Sequence, residues 1–121
     1  RVWTIANVHL RPPLAIRART GLATARMTEA IRVQEIRALM RLLKSSPPTI
    51  VAGDFNEQDW GEALRWLLHV PGLRDALHEF VPRWRETHVW SVGRLGLTLR
   101  KRLDHVTYDA DALCCLGCGV L

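Results

Sequence analysis

Lysine is nearly missing from this 121-residue chain: Lys44 and Lys101 are the only two among 17 basic residues, and the rest are arginines. Against 12 acidic residues this leaves a net charge of +5. Arginine suits phosphate recognition because its planar fork engages two oxygens at once. A coding bias toward arginine produces the same count, so the charge only supports other signals. Cysteine is scarce too, and Cys114, Cys115 and Cys118 all sit near the C-terminus. That placement implies no disulfide framework. The Cys115–Cys118 spacing has neither the second ligand pair of a zinc site nor the following helix of a redox motif, so these residues are expected to be small buried packing groups in a strand or tail. No apolar run is long enough to cross a bilayer, and Arg1-Val2-Trp3-Thr4-Ile5 has neither the apolar region nor the cleavage site of a signal peptide. Repeats and low-complexity tracts are lacking. With 48% apolar and 24% charged residues, the composition is that of one folded domain with a real core.

Residues 2–10 are β-prone and read as a central strand ending at His9, which Arg11-Pro12-Pro13 stops. Because the chain begins in the middle of such a strand, something is expected to precede it. Residues 11–27 form a basic segment with Arg17, Arg19 and Arg26 and no clear period, so a long functional loop is expected there. Thr28 is predicted to cap a helix whose apolar stripe is Ile31, Ile36, Leu39, Met40 and Leu43, with Arg32, Glu35 and Arg41 outside it. After Ser45-Ser46-Pro47-Pro48, residues 49–54 form a short buried strand. Asp59 is predicted to cap a second helix through Leu68, ended by Pro71-Gly72, and a short turn or helix covers 73–80. The stretch from Pro82 to Gly96 gives no firm pattern. Arg102 to Tyr108 reads as a strand, with Leu97, Leu99 and Leu103 as one apolar face leading into it. The order strand, helix, strand gives an α/β fold class, with sheet strands joined by a packed helix.

The chemistry sits in Gly53-Asp54-Phe55-Asn56. Gly53 lets the backbone bend where the strand ends, and Asp54 and Asn56 point the same way if the chain stays extended. A carboxylate and a carboxamide then share a hard, oxygen-rich corner suited to a divalent cation or a polarised water beside a phosphate. The competing reading is a turn in which both side chains bond nearby backbone.

Asn7-Val8-His9-Leu10, Gly53-Asp54-Phe55-Asn56 and Arg102-Leu103-Asp104-His105-Val106 stand in an order and spacing that resembles the endonuclease/exonuclease/phosphatase superfamily, the DNase I-like metal-dependent phosphodiesterases. The resemblance implies part of a two-sheet α/β sandwich. It also implies hydrolysis of a phosphate ester and a Mg²⁺ or Mn²⁺ ion near Asp54. Carried over, it makes Asp54 the residue that orients water and Asn56 one that holds phosphate or that water. His9 becomes a phosphate contact or proton donor, Asp104 the partner of an imidazole, and Asn7 a brace and substrate contact beside His9. Asp75 and His105 are expected to do mainly structural work, and the tryptophans to pack.

Three parts of the family pattern are missing: an early strand with Asn, a metal-binding Glu, and a terminal Ser-Asp-His. Gln34-Glu35 falls in the helical pattern and cannot stand for the Glu. Residues 1–121 are therefore expected to be a single partial domain, lacking N-terminal strands and a C-terminal strand, monomeric, and inactive by itself. Its substrate is expected to be a phosphate ester, with nucleic acid, phospholipid and nucleotide all open. Two other readings stay open: a basic α/β binding module or decayed fragment without catalysis, and an unrelated α/β protein with a turn at residues 53–56.

Overall fold

The β-branched run at residues 49–51 and the alternating segment at its N-terminal neighbour form two parallel strands, β1 (Thr4–His9) and β2 (Thr49–Asp54). The computed structural model describes residues 2–12, 21–43, 48–81, 86–92 and 97–120. Helix α1 (Gly21–Leu43) makes the crossover between the two strands. It starts well before the predicted cap, because residues 22–27 are mostly good helix formers. Thr28 is buried inside α1 instead of capping it. Of the expected basic loop, residues 13–20 lie outside the described residues.

After α2 (Glu62–Leu68) the chain forms a three-residue strand, β3 (Leu73–Asp75), and a short helix, α3 (Ala76–Phe80). Next come β4 (His88–Val92), β5 (Leu97–Lys101) and β6 (Asp104–Asp109). The strand expected over Arg102 to Tyr108 is β6, but Leu97 and Leu99, expected to lead into it, lie on β5 in a different sheet. β4 and β5 form a hairpin of their own, whereas β6 joins a four-stranded sheet of order β1-β2-β6-β3. The break falls at Arg102, whose buried side chain reaches Asp59 and the Val81 carbonyl. Among the described residues β1 is an edge strand, not the central one expected. Residues 82–85 and 93–96, most of the stretch that gave no pattern, lie outside the described set, as does the turn at 45–47.

One face of the sheet is covered by α1 and α2. Val51, Phe55, Leu10, Ile36, Ala63, Leu64 and Leu67 form the core there, with Ala6 and Val8 packed against it. Ile36 lies on the expected stripe of α1, but Arg32 is buried with it instead of facing solvent. The opposite face carries Ile5, Asn7 and His9, all exposed. Strand alternation therefore divides β1 cleanly between the two faces. The cysteine tail beyond Asp109 has no strand, and Cys114 is exposed instead of buried. No helix among the described residues is long and apolar enough to cross a membrane.

Candidate active site

Pairing register builds the site. His9 of β1 stands opposite Asp54 of β2, and Asp54 stands opposite Asp104 of β6. The three residues form one row across the end of the sheet, on its uncovered face, spanning two strand spacings or about 10 Å. His9 Nε2 lies 3.9 Å from Asp54 Oδ2, and both side chains are open to solvent, at 73% and 36% of their full exposure. One row back, Asn7 stands opposite Ala52, on the same face. Its Oδ1 lies over Gly53, where an added Cβ would come within 2.9 Å of it and 2.0 Å of the Val8 carbonyl. Gly53, at φ +137°, is required by that close approach.

Beyond Asp54 the chain does not stay extended as expected. Asn56 adopts φ +51°, a left-handed conformation that Asn tolerates. Its N–H donates to Asp54 Oδ1 at 2.7 Å and its Nδ2 donates to the Leu10 carbonyl at 2.8 Å. The turn geometry and the shared corner therefore coexist. Asp54 and Asn56 are brought together by this turn, and Asn56 ties the loop after β2 to the exit of β1. Asp54 Oδ2 stays free of hydrogen bonds to the described residues, as does the carbonyl oxygen of the Asn56 carboxamide.

Asp104 is fixed from the hairpin side, because Thr87 Oγ1 accepts from the backbone N–H of Leu103 at 3.0 Å and of Asp104 at 3.1 Å. The next residue, His105, points the other way and is fully buried. It meets Asp75 Oδ2 through Nδ1 at 2.9 Å and the Glu57 carbonyl through Nε2 at 3.1 Å. Asp75 also accepts from the N–H groups of Leu77 and His78, capping α3.

Glu57 and Arg32 are the buried partners that sequence reasoning missed. Arg32 Nε donates to Glu57 Oε1 at 2.6 Å, and Glu57 Oε2 accepts from the first N–H groups of α2, on Ala63 and Leu64. Glu57 does the capping expected of Asp59, which instead lies 3.6 Å from Arg102. Gly61 leaves room for it, since a Cβ there would sit 2.3 Å from Glu57 Oε2. Strand alternation could not have found the pair, since β2 ends at Asp54 and the left-handed turn at Asn56 intervenes before Glu57.

The described residues contain no group of three or more His, Cys, Asp or Glu placed to hold a metal ion. Asp54 contributes a single uncommitted oxygen, so these residues do not make a cation cage by themselves. The row as built offers a carboxylate and an imidazole in reach of one another, a carboxamide at each flank and a second carboxylate, all at one sheet end.

Two solved structures share the fold. A functionally unknown conserved protein from Enterococcus faecalis V583 superposes with a TM-score of 0.57 at 15% identity, over 87% of this chain and 37% of its own. The catalytic domain of human nocturnin, solved with a bound sulfate anion, superposes with a TM-score of 0.53 at 21% identity, over 87% of this chain and 34% of its own. The chain thus spans little more than a third of either. None of the curated proteins matches it in sequence. The model of the Endonuclease/Exonuclease/phosphatase family, whose members hydrolyse phosphate esters and generally depend on a divalent cation, matches residues 7–121, and the chain belongs to that family.

Proposed function

We propose that the uncovered sheet end of this chain is the phosphate-contacting part of a phosphate-ester hydrolase site. The observation that carries the reading is the row His9, Asp54 and Asp104, three separate strand ends in register on one open face. Asp54 Oδ2 orients the attacking water in line with the ester bond, and the Asn56 turn holds the other carboxylate oxygen still. His9 is exposed at the rim, where an imidazole contacts a phosphoryl oxygen or hands a proton to the leaving oxygen. Asn7 and the carboxamide oxygen of Asn56 bracket the same corner and contact the substrate or the water. Asp104 orients an imidazole supplied from elsewhere in the whole domain, as the acid of a triad does. Asp54 Oδ2 is the atom this segment would offer a Mg²⁺ or Mn²⁺ ion, which would supply charge stabilisation for the phosphoryl oxygens.

The substrate is a phosphomonoester or phosphodiester, of a nucleic acid, a phospholipid or a nucleotide. Residues 1–121 act as a partial, monomeric domain, and hydrolysis by the purified chain alone is expected to be negligible. Metal-dependent cleavage of a model phosphodiester by that chain, abolished by Asp54→Ala, refutes this. In a protein that carries the segment within the whole domain, Asp54→Ala should lower kcat by about a thousandfold or more, with melting nearly unchanged. Retained turnover in that protein overturns the role of Asp54.

A further inference from the structure

Beneath the open corner runs a continuous buried polar chain. Arg32 Nη1 donates to the Arg11 carbonyl at 3.2 Å, just past the end of β1, while its Nε holds Glu57. Glu57 follows Asn56 directly, and its own carbonyl is held by His105, which β6 supplies next to Asp104. His105 in turn is held by Asp75. Arg32, Glu57, His105 and Asp75 are each less than 9% exposed, so none of them touches a substrate in the open corner. Yet together they connect the ends of the three strands that carry His9, Asp54 and Asp104.

We propose that this chain is a positioning frame for the Asp54–Asn56 turn, with His105 as the residue that holds its floor through the Glu57 carbonyl. The proposal rests on the reading of the open corner as the reacting site. A buried ion pair adds little net stability over well-packed apolar groups, and its best-attested effect is to impose one arrangement. Here that arrangement is the Asp54–Asn56 turn, with Asn56 at φ +51°. Phe55, between Asp54 and Asn56, adds a second grip: its ring meets the His105 ring edge-on at 5.5 Å and 84°.

Both ring nitrogens of His105 meet oxygen atoms, a carboxylate and a backbone carbonyl, so the ring is tied at both ends. The Glu57 carbonyl can only accept, so Nε2 is the nitrogen that donates to it. Asp75 Oδ1 meanwhile accepts two backbone N–H groups.

The test is nuclear magnetic resonance of the 121-residue chain, and it reads no activity. In the unsubstituted chain Nε2 of His105 should carry a proton, donated to the Glu57 carbonyl. His105→Phe keeps the ring contact to Phe55 and removes both hydrogen bonds. Amide exchange at Asn56 should then speed up about tenfold more than at Val51 in the sheet. Asp75→Asn offers Nδ1 a donor in place of an acceptor, so Nε2 should still donate to the Glu57 carbonyl and Asn56 should stay protected. That variant and the unsubstituted chain decide the matter if His105→Phe does not fold. An Nε2 without a proton in the unsubstituted chain overturns the proposal. So does equal acceleration at Asn56 and Val51 in His105→Phe, or loss of Asn56 protection in Asp75→Asn. Because hydrolysis is not measured, failure of the proposed function and failure of the frame give different results.

Discussion

The two faces of the four-stranded sheet are built from neighbouring residues and could hardly differ more. On the covered face Val51, His105 and Thr107 are fully buried, and every polar group among them has a hydrogen-bond partner. On the other, Ile5 is 69% and Trp3 55% exposed at one end, while His9 is exposed and Asp54 and Asp104 are half-buried at the other. Asp104 and His105 show the division within a dipeptide: the first goes to the open row, the second to the buried frame. Asp54 and Phe55 repeat it. Burial is therefore concentrated on one side of the backbone and the proposed chemistry on the other, so substitutions on the two sides should act differently.

That contrast can be broken experimentally, and the largest effect is expected on the covered side. Phe55→Ala removes a fully buried ring and should cost about 3–5 kcal/mol in denaturant unfolding. A loss below 1 kcal/mol would show that this face does not carry the core. Gly53→Ala sits on the dividing line, since its Cβ would meet the Val8 carbonyl in a conformation that L-residues rarely adopt. It should cost about 2 kcal/mol or more and shift the His9 and Asp54 resonances together.

Tyr108 tests a local exception, for it lies on the otherwise open face yet is buried, with its hydroxyl donating to Glu79 at 2.7 Å. That hydrogen bond, with burial, pushes the phenol from 10.0 up to about 12. Since the raised value belongs to the folded state, the associated stability is fully present below pH 10.0 and is lost as pH rises through about 12. It is the chain's single tyrosine, so ultraviolet titration should report it cleanly, and Glu79→Gln should bring the midpoint back toward 10.0. An unmoved midpoint would contradict the cause given. The smallest effect is expected at Ile5, where Ile5→Thr should change stability by no more than about 0.5 kcal/mol in this chain. A larger loss would mean that the open face is packed in solution.

Much of this division was legible in the chain. The strand ending at His9, the strand ending at Asp54 and the helix between them follow from β-branched runs, Pro12-Pro13 and a helical stripe. The three motifs that resemble the family fall at strand ends in register. What stayed hidden depends on contacts between distant residues. A buried arginine on a helix looks like any solvated one until its carboxylate, 25 residues away, is known. The cap of α2 comes from Glu57, outside the usual capping position, so the nearer Asp59 looked right. Leu97, Leu99 and Leu103 share a period, yet Arg102 turns inward and sends the two strands to different sheets. The start of α1 was obscured for a simpler reason, since its first residues have helix propensity but no amphipathic pattern.

The most direct test of the open row is a double-mutant cycle on kcat/KM between His9→Ala and Asp54→Ala, in a protein carrying this segment within the whole domain. If the two groups meet one phosphate, either substitution alone should remove most of the rate and the pair should cost little more than the worse of the two. Losses that simply add, or a single substitution that leaves the rate intact, would mean that the row does not act as one site.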